Sequence, residues 1–70
     1  MQADQVEVSR DEKNKHWVIR IQVGEEVIRR HCDDPADASD DTLRAAALKT
    51  AVDEGYTIDP AAIVIVRHPA

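Results

Sequence analysis

Three residues of metal-ligand type stand next to each other in the run His31-Cys32-Asp33, and His16 and His68 offer further imidazoles. Thiolate, imidazole and carboxylate are the groups that bind zinc in proteins. Adjacent residues of a strand point to opposite faces, so His31 and Cys32 cannot both reach one ion. We therefore predict no metal site and no cofactor, with a half-buried cysteine packed near the chain's one tryptophan.

A second group of residues could bind anions. Arg20 and Arg29 are expected to face each other across a hairpin, and like charges in such positions are mildly destabilising. Glu7 on the neighbouring strand could offset them. Alternatively, the strip could bind a nucleic acid or another polyanion. The candidate binding strip on the second and third strands consists of Arg20, Arg29, Arg30, His31 and His16.

Catalytic chemistry has no visible constellation. General acid–base catalysis needs a carboxylate or histidine held in a concave site with a shifted pKa. The acidic residues lie in expected turns or at a helix end, where water solvates them. Two glycines cannot supply a glycine-rich phosphate loop. We predict that the protein is not an enzyme.

Composition predicts one domain, residues 1–70, with a net charge of −5. Residues 1–32 carry six acidic and six basic side chains, whereas residues 33–70 carry eight acidic against three basic. This balance argues against nonspecific nucleic-acid binding over the whole surface but leaves room for one basic face. One Trp, one Tyr and no Phe offer few platforms for stacking bases.

The start of the chain has neither the basic nor the apolar region of a signal peptide, and no apolar run approaches the ~20 residues of a membrane span. We expect a cytoplasmic protein without membrane contact. A core of this size rarely supplies more than ~3–5 kcal/mol, and one cysteine excludes an internal disulfide. Self-association is therefore the expected stabiliser.

Residue alternation predicts three strands in the first half of the chain. Val6 and Val8 alternate with polar residues, and four large apolar groups alternate from Trp17 to Val23. Gly24-Glu25 fits a two-residue type II′ turn. That turn predicts a register, which pairs Ile21 with Ile28, Ile19 with Arg30, Trp17 with Cys32, Gln22 with Val27, Arg20 with Arg29, and Val18 with His31.

A helix is predicted between Ser39 and Gly55. Ser39 is a suitable N-cap, acidic residues follow it in the first turn, and Gly55 suits the position after the C-cap. A broad apolar arc is expected to cover the sheet, formed by Leu43, Ala45, Ala47, Leu48, Ala51 and Val52.

The last strand, predicted from Ala62 to His68, is apolar on both faces, which is typical of a strand covered on both sides. The element order is then β-β-β-α-β, an α+β fold with four strands in one sheet and a single helix on one face. The last strand should run parallel to the first or third. One helix covers one face only, so the expected interface of a homodimer comprises Val18, Val64 and Val66.

The Trp17-Val18 pair, the alanines Ala45-Ala46-Ala47 with Ala51, and the closing run Ile63–His68 resemble a family of small bacterial domains of unknown function, DUF2188. The resemblance covers most of the chain and implies a β-β-β-α-β fold without implying an activity. Our prediction is a non-catalytic interaction module that self-associates through the helix-free sheet face. A protein partner of another kind is possible, and the alternative is polyanion binding.

Overall fold

The computed structural model describes residues 2–66 of the chain. Within them four strands form one mixed sheet in the spatial order β3-β2-β1-β4, and one helix packs on it. This confirms the predicted α+β class and element order. The elements are β1 (Gln5–Asp11), β2 (His16–Val23), β3 (Glu26–Cys32), α1 (Asp40–Asp53), a 3-10 turn (Pro60–Ala62) and β4 (Ile63–Val66).

The β2–β3 hairpin has the predicted register. Gly24 adopts φ +60°, which glycine reaches without steric cost, and Glu25 completes a two-residue turn. Because the turn length fixes which residues oppose each other, every predicted pair is found. Ile21 pairs with Ile28, Arg20 with Arg29, and Val18 with His31.

The β1–β2 hairpin turns through residues 12–15. The Asp11 carboxylate accepts backbone N–H groups of Lys13 (3.1 Å) and Asn14 (3.2 Å), and Lys15 takes a left-handed φ of 56°. An aspartate that bonds its own following backbone is a common way to hold such a turn. β1 therefore ends one residue later than the predicted Arg10, and β2 starts one residue later than the predicted Lys15.

The core lies between the sheet and α1, and Trp17 is its largest member, 1% exposed. The indole Nε1 donates to the carbonyl of Pro35 at 3.0 Å, and the Arg10 guanidinium lies 5.5 Å from the ring centroid. Residues outside the regular elements also contribute, which the sequence pattern did not indicate. The buried apolar residues are Ala3, Val6, Val8, Trp17, Ile19, Ile21, Ala38, Leu43, Ala47, Ala51, Ile58 and Ile63.

Both predicted ends of α1 are confirmed. The Ser39 hydroxyl accepts the N–H of Thr42, and at the other end the N–H groups of Gly55 and Tyr56 return to the carbonyls of Val52 and Ala51. These two bonds form a Schellman motif, in which Gly55 takes φ +89°.

The predicted apolar arc of α1 is wrong in part. Leu43, Ala47 and Ala51 are buried, but Leu48 is 37% and Val52 58% exposed, and Ala45 is also exposed. The contact stripe follows positions 43, 47 and 51, which lie one above the other on a helix. Small alanines there let the helix approach the sheet closely, whereas apolar residues elsewhere on the helix find no surface to cover.

The last strand starts later than predicted. Ala62 belongs to a 3-10 turn whose Asp59 side chain accepts the N–H of Ala61, so β4 begins at Ile63. It runs parallel to β1, with Val6 beside Ile63. Ile63 and Ile65 pack toward the helix, which leaves Val64 on the other face. The predicted Arg67 and His68 lie outside the described residues.

Candidate functional site

The face of the sheet opposite α1 holds all but one of the candidate site residues. We call it the helix-free face, since none of the elements described in residues 2–66 packs on it. Its side chains form rows across the strands. In the order β4-β1-β2-β3 the first row is Val64, Glu7, Arg20, Arg29 and the second is Val66, Ser9, Val18, His31; Gln5, Asp11, His16, Gln22 and Val27 complete the face.

The first row carries the charge of the helix-free face. Glu7 is the register partner of Arg20, and Arg20 is the register partner of Arg29. The prediction that Glu7 lies beside the arginines is therefore confirmed. Among residues 2–66 none of these three side chains takes part in an ion pair. Three charged groups thus remain available to a partner molecule.

Apolar groups lie beside this row and toward the β4 edge. Val64 is 42% exposed, Val66 and Val18 are half-buried, and Val27 at the end of the hairpin is 39% exposed. The predicted interface residues Val18, Val64 and Val66 thus share one face. The face has an apolar edge on β4 and a cationic edge on β3, where Arg29 and His31 stand.

Two histidines meet at the far end of the face. The rings of His16 and His31 lie 4.2 Å apart, and His16 Nε2 is 3.6 Å from Asp11 Oδ2. The side-chain hydrogen bond from Asn14, followed by its backbone N–H, lowers the pKa of Asp11 below its ordinary value of 3.8. Asp11 therefore stays ionised at neutral pH and adds a negative charge next to the histidines.

An open concavity of about 660 Å³ lies over these rows. Its walls mix both charges with apolar surface, which suits a complementary surface better than a single type of small ligand. Its lining residues are Glu7, Ser9, Arg10, Asp11, Glu12, Val18, Arg20, Arg29 and His31.

Arg30 is the exception among the candidate binding residues. It points to the helix side, where its Nε donates to Glu54 Oε1 and its Nη1 donates to the carbonyl of Arg29 at 2.8 Å. Strand alternation separates it from Arg29 and His31. The structure therefore brings together Arg20, Arg29, His31 and His16 but not Arg30, which ties β3 to the end of α1.

Cys32 also lies on the helix side, opposite to His31. Its thiol donates to Asp34 Oδ2 at 2.9 Å, and burial, with that hydrogen bond second, raises the pKa of Cys32 above its ordinary value. The raised pKa keeps the group a thiol at neutral pH. Within residues 2–66 no three His, Cys, Asp or Glu side chains are placed to hold a metal ion.

In the described part of the chain, no helix has the length and apolar character needed to cross a membrane.

Comparison with known proteins gives no relative from which a role could be transferred. No family model, no curated protein and no solved structure matches the chain. The resemblance to DUF2188 stays a prediction, and the function has to be argued from the helix-free face itself.

Proposed function

We propose that this protein is a non-catalytic interaction module that pairs with a second copy of itself through the helix-free face. The observation that carries the proposal is the combination of exposed valines with charges that have no ion-pair partner. Two carboxylates, Glu7 and Asp11, stand on the face with two guanidinium groups, Arg20 and Arg29. A face with balanced charge suits a copy of itself, although the whole chain is acidic.

The size of the face sets the expected strength. Four strands ~4.8 Å apart and seven residues rising ~3.3 Å each give a face of roughly 400–450 Å² per copy, hence about 900 Å² in total. Stable complexes bury ~1,200–2,000 Å², so this pair belongs to the weak associations. A thin core gains stability from such pairing, since binding that favours the folded state raises the free energy of unfolding.

Sedimentation equilibrium over a wide concentration range, up to about 0.5 mM, tests the proposal at the strength expected of a weak pair. We expect a reversible monomer–dimer equilibrium. Val64→Lys adds a charge to the helix-free face and should shift the equilibrium to monomer. Val52→Lys is the matched control, because Val52 is 58% exposed on the outer side of α1 and should leave the equilibrium unchanged.

A wild-type chain that stays monomeric over this range would overturn the proposal. A dimer that V52K dissociates and V64K does not would move the interface to the helix. Thermal unfolding of each variant under dilute conditions checks that both remain folded. The cytoplasmic location stays a prediction, which fractionation of cells expressing the chain would test.

Polyanion binding is the second candidate, favoured by the adjacent Arg20 and Arg29 without an ion-pair partner. Its test is a mobility-shift titration with single- and double-stranded oligonucleotides at low salt. A phosphate-driven binder must lose affinity steeply as salt rises, and Arg29→Gln should weaken it. Glu7 and Asp11 on the same face oppose this role. Absence of binding at low salt removes the candidate.

A further inference from the structure

Glu7 and Arg20 stand side by side on the two central strands of the sheet, and this placement defines a geometry of pairing. We infer that two copies associate about a two-fold axis that runs parallel to the strands, between β1 and β2. Glu7 of each copy then meets Arg20 of the other. The inference rests on the proposed self-association and specifies its symmetry and its contacts.

The symmetry follows from the strand order. A two-fold axis in the interface, parallel to the strands, brings β1 of one copy over β2 of the other and β3 over β4. Residues in the same row keep their height along the axis. Since Glu7 and Arg20 are register partners, each lies over the opposite charge of the second copy.

The edges of the face match in the same arrangement. Arg29 comes over Val64 of the second copy, and His31 comes over Val66. An arginine stem covers apolar surface while its guanidinium reaches water, so the exposed valine on β4 is covered without burying the charge. The cationic edge and the apolar edge of the helix-free face thus complement each other.

The spacing of packed sheets allows these contacts. Sheets pack ~10 Å apart with their strands rotated by ~30°, so rows near the axis stay opposite each other while the edges diverge. Glu7 and Arg20 are on the strands next to the axis and are the least affected by this rotation. Their long side chains can span the gap between the two sheets.

The other two-fold axis in the plane of the interface, perpendicular to the strands, is disfavoured by charge. It would bring β3 over β3, so that the cationic residues Arg29 and His31 meet their own copies, and juxtaposed like charges oppose association. Glu7 would come over β1 of the second copy, away from both arginines. The parallel axis alone joins opposite charges in both central strands.

Charge exchange tests the inference. Glu7→Arg leaves only cations at the two central positions, and Arg20→Glu leaves only anions, so each variant alone should be monomeric where the wild type is dimeric. An equimolar mixture should form heterodimers, because both intermolecular pairs are then attractive. Each chain still has like charges between its own strands, so recovery in the mixture cannot come from repair within a chain. Native mass spectrometry distinguishes the heterodimer from both homodimers.

Recovery of dimer in the mixture, with Lys49→Glu on α1 as a control that dimerises normally, would support the inference. A mixture that stays monomeric although both chains are folded would overturn it, as would single variants that still dimerise. A monomeric wild type would instead overturn the proposed function. A dimeric wild type without recovery refutes only the axis.

Neutral variants keep the test decisive if a charge reversal prevents folding. Glu7→Gln and Arg20→Gln each remove both intermolecular pairs, and we expect each to weaken dimerisation about tenfold. The double variant should be no weaker than either single one, because the same contacts are lost. Independent, additive losses would overturn the pairing of Glu7 with Arg20.

Discussion

The two faces of this sheet are built from alternate residues of the same strands, yet they differ in almost every property. On β2 the residues Trp17, Ile19 and Ile21 are at most 1% exposed under the helix, whereas Val18 and Arg20 between them look away from it. The covered face holds the fold together through apolar burial. The helix-free face contributes little to that core and carries the groups that another molecule can bind. Folding and interaction are therefore separable by single substitutions on one strand.

The largest effect is expected where the covered face is broken. Ile19→Ala should cost ~2–5 kcal/mol of unfolding free energy, which is comparable to the whole stability expected of a core this small. The variant should lack a cooperative urea transition. Ile19→Val should cost ~0.5–1.5 kcal/mol and remain measurable. Val18→Ala, one residue away on the helix-free face, should cost less than about 1 kcal/mol; an equal loss would contradict the division between the faces.

The close contact of α1 with the sheet can be tested by adding volume. Ala47 is fully buried, so Ala47→Leu should cost ~1–3 kcal/mol through overpacking, measured by urea unfolding. Ala45→Leu is the matched control. Ala45 is exposed, and the same change should stay within about 0.5 kcal/mol. A tolerated Ala47→Leu would show that the alanine stripe does not set the distance between helix and sheet.

The smallest effect separates two neighbouring arginines. Arg30→Gln removes the ion pair with Glu54, which is partly exposed, and should lower the unfolding free energy by ~0.2–1 kcal/mol. Arg29→Gln removes a like-charge neighbour of Arg20 and should raise stability by a few tenths of ~1 kcal/mol. Self-association should respond in the opposite way, weakening in Arg29→Gln and not in Arg30→Gln. Urea unfolding of dilute protein and sedimentation measure the two responses.

Local chemistry made much of this fold predictable. The two-residue turn at Gly24-Glu25 determined the whole β2–β3 register, and through it the neighbourhood of Arg20 and Arg29. The N-cap Ser39 and Gly55 determined the ends of the helix. In each case a short segment has one favourable backbone geometry, so distant residues are not needed to decide it.

Other features depend on contacts between distant residues. Apolar residues are spread around α1, and only packing against the sheet selects Ala47 and Ala51 over Leu48 and Val52. β4 had two edges to join, and its choice of β1 makes Glu7 and Arg20 the centre of the face. Ala38 and Ile58 enter the core from loops, where no periodicity could indicate burial.

The parallel pairing of β4 with β1 has a consequence for the order in which the chain assembles. The first three strands lie within residues 5–32 and close through short turns, so they can pair early. Val6 meets Ile63 only after the helix has formed and the chain has returned across it. During synthesis the emerging three-stranded sheet therefore exposes its apolar surface until the last residues leave the ribosome. We expect docking of β4, closed by the longest loop, to be the slow step of folding and the stage most open to aggregation.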